Sequence, residues 1–340
     1  MRQGTLMASE VSEIPDMLAR QIDAVETYWN AGRRLEEDGI RGIVTCARGT
    51  SDHAATFFKY LMETRTGLPV ASIGPSVASV YGSKLRLEGF ACVSFSQSGT
   101  SPDLARLQGV AKAGGAQAIA ILNAADSLLG EGADMVLPVL AGPERAVAAT
   151  KSFVGMLFAS LAVLAGYRQD RDMKAALEEL PGLALQALNL DWSSAALPLA
   201  RSGSLFCVSR GPGLAVAAEA ALKFKETCRL HAEAFSAAEL FHGPVAIMRE
   251  RFAVLFFGAR GSAERSLDEA MKALRKRGAC VLLAHPDRER ASLAMPRSRH
   301  EAFDPLVQSV AFYRFVERLA RDLGEDPDAP PGLEKVTKTV

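Results

Sequence analysis

The sequence predicts an α/β fold in which a mainly parallel sheet with helices on both faces occurs twice along 340 residues. Three observations lead there. Short apolar runs alternate with helical patterns from residue 42 onward, as when crossover helices join parallel strands. Two of those runs end in glycine turns that open helices, and such turns lie at the carboxyl edge of a doubly wound sheet, where ligands bind. The pattern then restarts at one spacing. Arg210-Gly211 follows Arg48-Gly49, Phe252 to Leu255 follows Phe90 to Val93, and Gly261-Ser262 follows Gly99-Thr100, each 162 positions later. One offset holding at three landmarks marks a duplicated domain.

Taken in order, residues 14–35 carry Ile14, Leu18, Ile22, Val25 and Trp29 on one helical stripe, which can pack on the same chain or on a partner. A strand over 42–47 feeds the turn Arg48-Gly49-Thr50-Ser51-Asp52, and a helix follows over 53–66 with Ser51 or Asp52 as its cap. Residues 69–73 read as a strand and 76–81 as a short helix. The apolar run 90–95 is a buried strand that breaks into Ser96-Gln97-Ser98-Gly99-Thr100-Ser101. Pro102 stands where a helix begins, with Ser101 as N-cap and Asp103 in the first turn. A helix over 104–113 and strands over 116–122 and 135–139 complete the first sheet. The polar loop 143–151 enters an apolar helix after Ser152; its run 153–166 is shorter than a membrane span of about 20 residues and reads as a buried helix. Helices continue to about residue 200, and the strands beginning at Leu205 and Phe252, with the helix 214–227 between them, rebuild the pattern. The expected organisation is an N-terminal helical segment (1–34), a first domain (35–190), a second domain (191–328) and a tail (329–340) that is neither charged linker nor helix.

Lys plus Arg and Asp plus Glu balance at 39 each, so no overall charge recruits nucleic acid or an acidic membrane, and any anion site must be local. The five cysteines include no C-x-x-C pair, and Cys46, Cys92 and Cys207 lie in apolar strand-like runs. A reducing compartment fits, and zinc is not expected. Residues 1–10 lack an apolar signal core, so a soluble cytoplasmic protein is expected.

The turn 96–101 combines backbone N–H groups, the positive end of a helix and up to four hydroxyls, which suits a dianionic phosphate. The plainer reading is an ordinary capped turn. Its second copy, Gly258-Ala259-Arg260-Gly261-Ser262, has lost most of the hydroxyls, so a phosphate grip belongs to the first copy. On the helix 214–227, Lys223 and Glu226 stand three apart and share a face, where a solvated ion pair is the plainer reading. His231, Glu233, Glu239 and His242 gather before Gly243-Pro244, dense for mere surface, although a lone histidine is more often structural than catalytic.

Ser96-Gln97-Ser98-Gly99, Arg48-Gly49-Thr50-Ser51, Val147-Ala148-Ala149-Thr150-Lys151, Ala221 to Glu226, His231 to Phe235 and Glu239 to Pro244 occur in an order that resembles the double sugar isomerase (SIS) domain family. The likeness is greatest to the isomerase half of glutamine–fructose-6-phosphate aminotransferases and runs from about Ile14 to the tail. It implies two tandem SIS domains, each a flavodoxin-like doubly wound sheet. The aminotransferases carry an amino-terminal glutaminase domain whose first residue is a cysteine nucleophile; the sequence shows neither, and is not expected to draw ammonia from glutamine by itself. In this it resembles the SIS-type glucosamine-6-phosphate deaminases, as does Ser101-Pro102-Asp103.

The resemblance implies isomerisation and deamination of an amino sugar 6-phosphate, first of all glucosamine 6-phosphate to fructose 6-phosphate and ammonia. It implies a homodimer with a shared active site and no metal or redox cofactor. Rival expectations are a galactosamine-6-phosphate deaminase, a fructosamine-6-phosphate deglycase and a sugar-phosphate sensor without turnover. By position, Ser96, Gln97, Ser98 and Ser101 would hold the phosphate, and Thr50 and Ser51 phosphate or sugar hydroxyls. Val147 and Ala149 would line the sugar, Glu226 would be the base between C1 and C2, and Lys223 would assist at the sugar oxygens. His242 would open the ring from the other subunit, and Lys335 in the tail would close over the sugar. Arg48 stands where the aminotransferases have cysteine and Ala149 where they have serine; Val336 and Lys338 depart from smaller or hydroxyl residues in the tail.

Overall fold

The computed structural model describes residues 4–335; the tail departures Val336 and Lys338 lie outside the described residues. Two compact units are present. One comprises Asp16–Glu144, Lys151–Glu178 and the described residues from Glu334; the other comprises the described part of Met1–Pro15, Arg145–Thr150 and Glu179–Leu333.

In the first unit the strands are β1 (Gly42–Cys46), β2 (Val70–Ser72), β3 (Phe90–Ser96), β4 (Gln117–Leu122) and β5 (Met135–Pro138), and the helices used below are α1 (Val25–Glu37), α2 (Thr50–Thr66), α3 (Pro102–Ala113) and α4 (Lys151–Tyr167). The strands run parallel in the order β2-β1-β3-β4-β5. Val44, Cys46, Cys92, Leu104, Leu107 and Leu122 belong to the core between sheet and helices. The register pairs Cys46 with Ser94, so the segments after β1 and β3 leave the same edge side by side. Burial pushes the Cys92 thiol up to about 12, in keeping with a protonated core cysteine.

The apolar run 153–166 is buried throughout, as part of α4. The stripe expected over 14–35 is interrupted at Ala24, which separates Ile14–Asp23 from α1. Its Trp29 end packs on the same chain. Helix α1 meets α4 so closely that a Cβ on Gly32 would lie 2.0 Å from the Val163 carbonyl oxygen, and one on Gly166 2.1 Å from that of Trp29. Between them Tyr28 donates to the Pro138 carbonyl (2.5 Å) and meets the Phe158 ring edge-on. One helix end differs from expectation. Helix α2 begins at Thr50 with Gly49 in the capping position, so neither Ser51 nor Asp52 is the cap. The positive φ of Gly49 (55°) turns its carbonyl to accept the Asp52 and His53 N–H groups, leaving no need for a side-chain cap.

In the second unit the strands are β6 (Ser204–Ser209), β7 (His231–Ser236), β8 (Ala253–Phe257), β9 (Cys280–His285) and β10 (Leu293–Ala294), with α5 (Leu214–Cys228), α6 (Glu264–Lys276) and α7 (Asp304–Asp322) among its helices. The order β10-β9-β8-β6-β7 is the first sheet's order, strand for strand. Phe206, Val208, Val254, Phe256, Met271 and Leu274 contribute to its core. The duplication reaches the backbone. Left-handed φ occurs at Gly49 and Gly211, Gly67 and Arg229, Gly89 and Arg251, and Gly99 and Gly261, the second of each pair 162 positions on. From β9 on the spacing slips: Cys280 takes the place of Gln117 in the sheet at an offset of 163, and β10 starts at Leu293 where 162 would place it at Arg297. In the same unit Asp328 accepts the Leu6 and Met7 N–H groups (2.7 and 2.8 Å) and fixes the start of the helix Leu6–Ser12. Among the described residues no helix is long and apolar enough to cross a membrane.

The α1–α4 contact makes a paired prediction. Gly32→Ala should cost about 1–3 kcal/mol, because backbone and not a movable side chain meets the new methyl. Gly109→Ala, in the open middle of α3 with nothing within 4 Å, should be neutral or stabilising by about 0.4–1 kcal/mol. Urea midpoints of the two variants read this contrast; equal midpoints would refute the close crossing.

Candidate active site

Two clusters of functional side chains form, one in each unit. In the first, the segment after β3 is pinned from below. The Gln97 and Ser96 carbonyls accept the Ala124 and Asn123 N–H groups, and the Gly99 carbonyl accepts that of Leu129. Gly99 is required there: its φ is +65° and a Cβ would lie 2.0 Å from Ser127 Oγ. The buried Ser96 Oγ accepts the Gly99 N–H (3.0 Å), and the Thr100 hydroxyl donates to Ser98 Oγ (3.0 Å). Beneath them Ser94 Oγ donates to Gln108 Oε1, whose Nε2 donates to the Leu129 carbonyl, so the loop's base is satisfied internally.

Helix α3 begins at Pro102 with Ser101 in the capping position, as expected, but the Ser101 hydroxyl makes no capping bond. It is therefore not committed to the helix. Asp103 lies buried in the first turn. The α3 N-terminus presents N–H groups and a positive dipole end at Ser98–Ser101, and the α2 N-terminus does the same at Thr50 and Ser51. An anion at this edge would meet hydroxyls and dipoles with no carboxylate on the loop 96–101 itself. Lys335 belongs to the same unit: its Nζ lies 3.5 Å from Glu144 Oε2. Glu144 is itself buried and accepts from the Ser152 N–H (3.1 Å) and hydroxyl (2.6 Å) at the head of α4.

The second unit builds its cluster on α5. Glu219, Lys223 and Glu226 fall on one helical face at four- and three-residue spacing. Lys223 Nζ lies 2.6 Å from Glu226 Oε2 and 3.2 Å from Glu219 Oε1, and its side chain is wholly buried. Tyr313 of α7 donates its hydroxyl to Glu219 Oε1 (2.9 Å). Burial alone would push the Lys223 ammonium down, but Glu219 and Glu226 outweigh it and hold the group above the ordinary lysine value. Lys223 is thus a fixed cation and hydrogen-bond donor, not a base. Of its two partners Glu219 is 1% exposed and Glu226 19%, so Glu226 is the carboxylate open to a ligand.

The other expected residues fall as follows. Val147 and Ala149 belong to the second unit, half-buried, and the Val147 N–H donates to the Asp328 carbonyl. His242 ends the short 3₁₀ turn Glu239–His242, exposed, next to Gly243. His231 and Glu233 do not join it: both lie on β7, an edge strand, where His231 Nδ1 meets Ser204 Oγ at 2.8 Å. The second copy of the loop is closed. Arg260 donates through Nε and Nη2 to both oxygens of Asp304 (2.6 and 2.8 Å) and through Nη2 to Ser298. The hydrogen bond to Asp304 is the main cause of an Arg260 pKa above the ordinary value. Glu219 and Tyr313 were not singled out from sequence. The Glu-x-x-x-Lys-x-x-Glu spacing on one helix was the available signal for the first; nothing local marks the second.

With fold and geometry in place, the family is defined: the chain belongs to the SIS-domain family, whose model matches residues 40–165 and 198–309. A glutamine–fructose-6-phosphate aminotransferase (isomerizing) of Bradyrhizobium diazoefficiens is 31% identical over 97% of this chain and 58% of its own length. The chain thus spans little more than half of that relative. A crystal structure from Silicibacter pomeroyi DSS-3, described as a candidate phosphosugar isomerase, superposes with a TM-score of 0.89 at 42% identity, covering 95% of this chain and all of its own. The C-terminal domain of the Francisella tularensis glucosamine-fructose-6-phosphate aminotransferase has the same fold, with a TM-score of 0.86 at 24% identity over 97% of this chain and 99% of its own.

The Lys223 site yields a stability prediction. A folded-state pKa raised above the unfolded value gives stability that is complete below the unfolded pKa, about 10.5, and is lost as pH climbs toward the raised value. Lys223→Met should cost about 3–5 kcal/mol near neutral pH by stranding Glu219. The gap between wild type and variant should then narrow above about pH 10.5, read by denaturant titration across pH; a constant gap would contradict the buried cation.

Proposed function

We propose that the chain isomerises and deaminates an amino sugar 6-phosphate, glucosamine 6-phosphate first of all, to fructose 6-phosphate and ammonia. The observation that carries the reading is the Lys223–Glu226 pair, a half-open carboxylate held by a buried ammonium that cannot itself act as base. Phosphate binding alone needs no such pair, which argues against a sensor.

Ser96, Gln97, Ser98 and Ser101 hold the phosphate, with Thr50 and Ser51 on phosphate or sugar hydroxyls, and Val147 and Ala149 line the sugar. His242 moves the proton from the C1 hydroxyl to the ring oxygen as the C1–O5 bond breaks, giving the open aldehyde. Glu226 takes the proton from C2, and Lys223 stabilises the oxyanion developing at O1. The C2 ammonium of the substrate gives a proton to O1, and the intermediate is the 1,2-eneaminol. Glu226 returns the proton to C1, which leaves an imine at C2; water adds there and ammonia departs, giving the ketose. Lys335, released from Glu144, closes over the sugar. The enzyme acts as a cytoplasmic homodimer in which each subunit's His242 serves the substrate held by the other. The domain plan is the one set out from sequence, with the first SIS domain binding phosphate and the second carrying the base.

Ammonia release and fructose 6-phosphate formation from glucosamine 6-phosphate, with galactosamine 6-phosphate alongside, test the substrate. Comparable rates of both products support the reading; no ammonia from either sugar overturns it, and fructosamine 6-phosphates then become the substrates to try. Glu226→Gln should lower turnover at least about a hundredfold while retaining phosphosugar binding. Near-normal turnover would remove Glu226 as the base. Inactive His242→Ala and inactive Glu226→Gln subunits, mixed into hybrid dimers, should regain part of the activity; verified hybrids without activity would exclude the shared site.

A further inference from the structure

The hydroxyl loop carries no cation of its own, yet a half-exposed guanidinium is anchored beside it. Arg48 follows β1, two residues beyond Cys46, and Cys46 pairs in register with Ser94, two residues before Ser96. The Arg48 side chain therefore leaves the sheet next to the start of the 96–101 loop. It is tied there rather than loose: its Nε donates to Asp103 Oδ2 at 2.6 Å, and Nη2 lies 2.5 Å from the same oxygen. Asp103 is in the first turn of α3, so the bond joins the segment after β1 to the helix that opens the loop.

Exposure differs sharply across this pair: the Arg48 side chain is 43% exposed and that of Asp103 1%. A ligand arriving at the edge meets the guanidinium and not the carboxylate. A guanidinium has five N–H groups in a fixed fork, and one edge of it serves Asp103. The edge bearing Nη1 is open. A second acid stands nearby. Burial raises the Asp52 carboxyl, and His53 and Arg48 partly pull it back. Arg48 thus also offsets the one carboxylate near the α2 end of the edge.

We infer that Arg48 is a specificity residue for the second negative charge of the phosphate, an inference that rests on the reading of the 96–101 loop as the phosphate grip. Hydroxyls and helix N–H groups attract both a monoanion and a dianion, the dianion more. Only a full positive charge separates the two strongly, and a guanidinium with one edge fixed offers a preorganised fork for it. The competing reading makes Arg48 a tether that merely closes α3 against β1. A tether would weaken every ligand of the loop alike.

The test compares glucitol 6-phosphate with glucitol 6-sulfate, neither of which has a carbonyl to turn over. At about pH 8 the phosphate ester is dianionic, since its second pKa is about 6, while the sulfate ester keeps one charge. Calorimetric titration of wild type should show tighter binding of the phosphate. Arg48→Met should weaken the phosphate at least about tenfold, the loss of one charge-assisted contact, and the sulfate less than about threefold. Arg48→Gln reads the same ratio if the methionine variant does not fold. Equal losses for both esters, no loss, or no phosphate preference in wild type would each overturn the inference. Ammonia release is scored apart from binding. Discrimination that depends on Arg48 without ammonia release removes the deaminase reading alone; ammonia release with discrimination unchanged in the variant removes only the role of Arg48.

Discussion

An ammonium buried between two carboxylates is the constraint on which the second unit depends. Lys223 is wholly inside the second unit, and an unpaired cation there would cost several kcal/mol or lose its proton. Glu219 and Glu226 keep it charged, and Tyr313 satisfies a further bond to Glu219. The consequences run outward. Helix α5 must present the three residues on one face, and α7 must bring Tyr313 against Glu219. Because Glu219 is sealed and Glu226 is partly open, the same arrangement that satisfies the charge also decides which carboxylate reaches a ligand.

The two copies of the domain have used one backbone for different ends. Both turn through left-handed glycines at matched positions, Gly49 with Gly211 and Gly99 with Gly261. What differs is the side chains laid on that backbone. In the first copy the loop holds serines, and its neighbouring arginine is anchored by a buried aspartate with one edge open. In the second the arginine lies within the loop, and Asp304 and Ser298 take both its Nε and its Nη2. That guanidinium is spent on the protein itself, which closes the second loop as an anion site. The second copy instead carries the Lys223–Glu226 pair on the helix after its first strand.

The fold was legible in the sequence because duplication turns weak local signals into a comparison. No single serine-rich turn identifies a phosphate loop, but Gly99 and Gly261 at the offset of Gly49 and Gly211 identify a repeated backbone. The alternation of strands and helices could then be read once and applied twice. Legibility failed where tertiary geometry overrides local chemistry. Ser51 and Asp52 are good capping residues, yet a left-handed Gly49 already turns its carbonyl to the first-turn N–H groups and makes a side-chain cap unnecessary. His231 and Glu233 are close in sequence to Glu239 and His242, but their strand carries them to a sheet edge. Tyr313 lies 94 residues from Glu219, and no local pattern points from one to the other.

The slip in the repeat from β9 onward leaves room for such differences. Through β3 and β8 the two copies keep step; one residue is added before β9, and the sheet's pairing resumes beyond it. After that the chain only has to return to the sheet's flank, and its length is free to change. In the first copy the corresponding return is the polar segment from Glu144, whose carboxylate meets Lys335 and Ser152 before the fully buried α4. In the second copy it is the short β10 followed by Ser298 and Asp304, which bind Arg260. In both copies, then, the segment released from the common spacing supplies an acid to a basic residue, the tail lysine in one case and the loop arginine in the other. The repeat holds its spacing through β8 and loosens from there on, toward the segments that carry Glu144 and Asp304.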